Sequence, residues 1–203
     1  MKYIKTMVVA GALLLCMRAS ASAQDWYGLA TWNISFPTGD TKEFVDETSF
    51  RGFNLEFRKA VNAATTVGIM SGWDVFHERT DETVEFENGA VNGSQDRYIN
   101  AFPIMLGLHR YLGERGGTRP YLGVNAGGWV LIRTIRIGIS EIEEDSWDWG
   151  VIPEAGLVVP MSYGSSFIVN GSYQWSFTSQ DLAGNDEDLT YWSIHVGFAW
   201  ESH

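Results

Sequence analysis

Ser193 and His195 stand two apart in an alternating segment near the C-terminus, the residue types of a hydroxyl nucleophile and its base. Such a pair must be in hydrogen-bond contact, yet side chains at i and i+2 of a strand lie roughly 6.5–7 Å apart. The four histidines, at 77, 109, 195 and 203, are scattered, and no Ser, His and acid stand at a spacing specific to a hydrolase. Acidic runs at Glu141–Asp145 and Asp186–Asp188 offer carboxylates to Ca²⁺ or Mg²⁺, but neither has the calcium-loop order around a Gly. They read as solvated charge, so no metal site and no cofactor is expected. A third set is spread along the chain. Glu56, Arg58, Asp74, Arg133, Glu154 and His195 each occupy the polar face of a segment whose other face is apolar. Charges of both signs are what a self-neutralising network needs, because an unpaired buried charge costs several kcal/mol.

The elements that position these residues begin after a leader. Lys2 and Lys5 precede an apolar run from Met7 to Met17, and Ala21-Ser22-Ala23 has the small residues of a cleavage site. Residues 1–23 therefore read as a secretory signal, with the functional chain starting near Gln24 as one domain over 24–203. Cys16, the one cysteine, lies in the leader, so no disulfide or thiolate metal site is expected beyond it. The leader carries three of the 14 basic residues and none of the 25 acidic ones, leaving 11 against 25, a net −14. That balance argues against nucleic acid as a partner, since a phosphate backbone needs a basic face.

Beyond the leader no apolar stretch approaches the roughly 20 residues of a spanning helix. Eight runs instead have strand character: Tyr27–Phe36, Phe50–Val61, Thr66–His77, Tyr98–Leu112, Pro120–Arg133, Trp147–Pro160, Ser166–Phe177 and Leu189–Trp200. Each meets the roughly 9–11 residues of a tilted transmembrane strand. Short links at Asn62–Thr65, Gly113–Arg119 and Met161–Ser165 alternate with long polar ones at Pro37–Ser49, Glu78–Arg97, Thr134–Ser146 and Thr178–Asp188. Short periplasmic turns and long extracellular loops on an even strand number are the layout of an outer-membrane barrel, with both termini periplasmic.

The faces separate cleanly. Phe53, Leu55 and Phe57 oppose Asn54, Glu56 and Arg58; Phe167, Val169, Tyr173 and Trp175 oppose Asn170, Ser172 and Gln174; Ile194, Val196 and Phe198 oppose Ser193, His195 and Gly197. A soluble ligand-binding barrel would line its interior with apolar residues, the reverse assignment. Aromatic residues gather near the ends of the apolar faces, at Trp32, Trp73, Tyr98, Trp147, Trp149, Trp175, Trp192 and Trp200, where interfacial girdles belong. Lys59 and Arg110 sit at ends where they can snorkel. Pro103 and Pro153 fall inside runs, and with no free edge to place them the ladder must bulge or break there.

Pro120-Tyr121-Leu122-Gly123-Val124-Asn125-Ala126-Gly127 resembles a strand signature of the small outer-membrane barrel family typified by OmpA, OmpX and OmpW. The alternating segment Trp192–Trp200 is similar to that family's closing strand. Asn125 stands where the family has a small residue, which places an amide inside, and Glu201-Ser202-His203 follow where the family ends on Phe. The resemblance implies an all-β fold, an eight-stranded antiparallel up-and-down transmembrane barrel. It also implies partners in outer-membrane lipid, lipopolysaccharide and the barrel assembly machinery. An eight-stranded lumen is just wide enough for side chains to fill. The expected role is therefore non-catalytic, in envelope integrity or surface contact through acidic extracellular loops. The alternatives are a narrow porin-like channel for small solutes and a lipid A-modifying enzyme.

Overall fold

The computed structural model describes residues 26–86, 89–137, 140–162, 164–177 and 188–202. The leader, the start near Gln24, Asp186 and most of its connection, and His203 lie outside the described residues. Eight strands follow one another: β1 (Trp26–Pro37), β2 (Gly52–Asn62), β3 (Thr65–Phe86), β4 (Gly89–Tyr111), β5 (Arg119–Ile137), β6 (Ser140–Ser162), β7 (Ser165–Phe177) and β8 (Thr190–Ser202). Each pairs antiparallel with the next, and β1 pairs with β8 from Trp26↔Ser202 to Pro37↔Tyr191, closing the barrel. The expected meander is the observed fold. Closure satisfies every edge without a covering element.

Two links expected as loops are strand. The β3–β4 ladder runs on from Glu78↔Arg97 to Phe86↔Gly89, and the β5–β6 ladder from Thr134↔Glu143 to Ile137↔Ser140. Backbone pairing needs no apolar face, so a hairpin that rises beyond the apolar wall keeps its ladder while losing the alternation by which strands are recognised. The β1–β2 connection does leave the sheet, forming a short helix, α1 (Gly39–Phe44).

Both prolines break the ladder without shifting its register. β3 and β4 pair at Ser71↔Ile104 and again at Asp74↔Ala101, skipping the two rungs at Pro103, which still faces Trp129 on β5. Likewise β6 and β7 pair at Val151↔Trp175 and at Glu154↔Ser172, skipping the rungs at Pro153. Each missing N–H donor is felt on one side only.

The interior is layered. Toward the long hairpins, Phe76, Ile99, Leu131, Trp129 and Tyr191 pack with Val45 and Leu189 from the connections. Toward the short turns, Leu29, Tyr111, Tyr121, Ile168 and Ala199 form a second apolar cluster. Polar side chains fill the length between them.

Candidate functional site

The middle of the barrel centres on a guanidinium. Arg58 donates from Nε to Glu56 Oε1 at 2.7 Å and from Nη2 to Glu56 Oε2 at 2.6 Å, a forked pair within one strand. Nη2 also reaches Glu154 Oε1 at 3.0 Å, Nη1 donates to the Tyr111 hydroxyl at 2.8 Å, and the guanidinium lies 4.9 Å over the Tyr121 ring. Only arginine supplies donors in that fixed fork along with a face that stacks. His109 joins from β4, with Nε2 3.0 Å from Glu154 Oε1 and 3.4 Å from Glu56 Oε1. On the rung His109–Gly123–Glu154 a Cβ at position 123 would stand 3.0 Å from the Glu154 carboxylate, so a glycine there leaves room for the flanking side chains to meet. Asn125 donates to Glu154 Oε2 at 3.3 Å, giving this departure from the family pattern a partner inside the barrel.

A second cluster lies beside the first. His195 Nδ1–H donates to Asn33 Oδ1 at 2.6 Å, and Ser172 Oγ–H donates to His195 Nε2 at 2.7 Å. Asn33 passes the chain on to Asp74 Oδ1 at 3.1 Å; Ser35 donates to the same oxygen at 3.2 Å and Tyr191 to the other at 3.0 Å. Asp74 is therefore satisfied by three neutral donors. Ser172, His195 and Asn33 have the connectivity of nucleophile, base and orienting group. The cavity beside them, however, holds about 20 Å³, enough for one water and not for an acyl group. Gln174 also donates to Ser172 Oγ at 2.9 Å, occupying the oxygen that would attack. Among the described residues no group of His, Cys, Asp or Glu converges on a metal site.

Of the residues singled out from sequence, Glu56, Arg58 and Glu154 meet directly, while Asp74 and His195 belong to the neighbouring chain through Asn33. Arg133 is buried but does not join them: it lies ten residues along β5 from Gly123, about 33 Å at the strand rise. Ser193 hydrogen-bonds Ser35 at 2.8 Å rather than His195. Sequence reasoning missed His109, Asn33, Tyr111, Tyr191 and Ser172. For His109 a signal existed, since Arg110 on the outer face assigns its neighbour inward. Ser172 was placed on the polar face by the same alternation, but its contact with His195 depends on the β7–β8 register.

Outside, the wall is apolar: Phe57, Ile69, Ile104, Leu106, Leu108 and Leu122 are each more than half exposed. Trp32, Trp73, Trp147, Trp149, Trp175 and Trp192 ring it toward the long hairpins, from 40% exposed at Trp73 to 62% at Trp149. Trp26 and Trp200 stand at the other end, where the Lys59 ammonium lies 5.3 Å over the Trp26 ring and Arg110 donates to Thr65 at 2.9 Å. Tyr98 is four residues further out than Phe102, which stacks on Trp73, and it stacks on His77 at 4.4 Å.

Comparison with solved structures then bears on the fold. The outer-membrane protein AlkL, solved in lipid bilayers, matches with a TM-score of 0.50 at 13% identity, over 91% of this chain and 92% of that one. This is the fold of the small outer-membrane barrels. Such barrels also include OprG from Pseudomonas aeruginosa (TM-score 0.49, 14% identity, 89% of this chain and 97% of that one). Another is the attachment invasion locus protein Ail of Yersinia pestis (TM-score 0.48, 15% identity, 88% and 97%), solved with the heparin analogue sucrose octasulfate. No protein-family model and no curated protein sequence matches the chain. The likeness of this outer-membrane-type barrel to its neighbours is thus one of architecture, carried by strand number, closure and the polar-in, apolar-out division.

Proposed function

We propose that the chain is an integral outer-membrane protein without catalytic activity, whose lumen is filled by its own side chains and which acts through contact at the envelope surface. The carrying observation is the wall. On β8, Trp192 and Trp200 are eight residues apart. That is about 27 Å along the strand and roughly 21 Å across a bilayer at a 40° tilt, near the ≈25 Å apolar band of such barrels. The filled lumen is supported by the fully buried Trp129, Phe76 and Arg58 and by the water-sized central cavity. In this reading the leader at 1–23 exports the chain, the assembly machinery inserts it, and both termini face the periplasm. The extended hairpins then rise outside, where the acidic stretch Glu141–Asp145 meets lipopolysaccharide and its divalent cations.

Two measurements test it. Unboiled protein in SDS should migrate faster than boiled protein; identical mobility would refute a closed membrane barrel. In planar bilayers no steady conductance steps are expected, and regular unitary steps would replace the filled lumen with a pore.

A further inference from the structure

We propose that the vestibule at the short-turn end of the lumen binds a small organic anion, a carboxylate or phosphate monoester carrying an apolar group about the size of a benzene ring. The vestibule, an open pocket, offers about 150 Å³, on the order of the space a benzene ring fills in a closed apolar cavity. Its floor is Leu29, Tyr111, Val158 and Ala199, and its rim carries Arg115, Arg119 and Glu201, two cations against one acid in a chain of net charge −11.

Arg119 is the decisive residue. It is 8% exposed, opens β5, and is held by stacking 4.6 Å over the Tyr111 ring and by one bond from Nη2 to the Ala63 carbonyl at 2.9 Å. Its buried Nε has no hydrogen-bond partner, and among the described residues no carboxylate pairs with it. Arg58, deeper in the same lumen, is given two. A buried guanidinium with only a ring face and one carbonyl for partners recovers part of its desolvation cost, and an incoming carboxylate or phosphate removes the remainder with the forked bonds arginine is shaped to make. The preceding turn brings Arg115 to the same rim, and its Gly113 and Gly116 have φ of +86° and +84°, a left-handed backbone that favours glycine. An apolar floor beneath an arginine rim selects an amphiphilic anion over a bare one.

The test is a fluorine NMR titration of the full barrel in lipid nanodiscs, where no detergent tail competes, with fluorobenzoate, fluorophenyl phosphate and fluorobenzyl alcohol. One or both anions should bind saturably at a single site, and the tighter of the two assigns carboxylate or phosphate as the source. The alcohol should bind at least about tenfold more weakly, and Arg119→Leu should weaken the anion by a similar factor. Leu29→Trp, which fills the floor while keeping the arginine at position 119, should abolish binding and decides the matter if Arg119→Leu fails to give the fast-migrating folded band. No saturation by either anion at roughly 10 mM, equal binding of the alcohol, or unchanged affinity in both variants overturns the proposal.

Discussion

The lumen is filled by two different kinds of matter. Around Arg58 it is occupied by charges that must satisfy one another, a guanidinium and two carboxylates, with imidazole, phenol and amide groups completing the shell. Further toward the long hairpins it is occupied by bulk, the indole of Trp129 among Phe76, Ile99, Leu131 and Tyr191, with Val45 brought in from the β1–β2 connection. The difference lies in how each fails. Losing the central ion leaves like charges facing each other in a medium that screens poorly, whereas losing bulk leaves a hole whose cost scales with its size.

Arg58→Leu should therefore be the most damaging single change, about 3–5 kcal/mol, because Glu56 and Glu154 are left buried without the guanidinium that pairs both of them. Urea unfolding followed by band mobility reads it; a midpoint like that of the parent would equate the two layers. Trp129→Ala should cost about 3 kcal/mol, the low end for a buried tryptophan, and unlike Arg58→Leu it should make the lumen leak. Single-channel recording separates the two, since conductance in Arg58→Leu with none in Trp129→Ala would reverse the assignment of seal and structural ion. Glu56→Leu should be milder than Arg58→Leu, about 1–3 kcal/mol, as Arg58 retains Glu154 and Tyr111. Equal losses from both variants would mean that the forked Glu56 pair alone holds the guanidinium. Arg136→Gln breaks a 3.0 Å pair with Glu141 that is half exposed on the rising hairpin, and the unfolding midpoint should not move. A clear shift would show that the hairpins beyond the wall contribute to the stability of the barrel.

How far each layer was legible follows the same division. Glu56 and Arg58 declare themselves inward because Leu55 and Phe57 flank them on the same strand, and the parity of β2 holds from Phe53 through Arg58. His109 was readable by the same rule through Arg110 but stands in a run of small and apolar residues where alternation is weak. Trp129 was not readable as interior: among nine tryptophans the other eight face outward, and its segment of Gly and Ala hides the period. The extended hairpins were mistaken for loops because outside the apolar wall nothing forces one face of a strand to be apolar.

Strand number, the sense of the faces on the clearly alternating strands, closure into a barrel and the sites of ladder breakage at Pro103 and Pro153 were determined by the sequence alone, from alternation, from the polar-in, apolar-out division and from proline's missing donor. Which inward side chains meet was decided only by the tertiary structure. Ser172, His195 and Asn33 come from three strands, Arg58 and Glu154 from opposite halves of the chain, and Arg119 reaches its vestibule over a tyrosine from β4. Those meetings depend on the stagger between strands at closure, a property of the whole ring that no local period of two can encode.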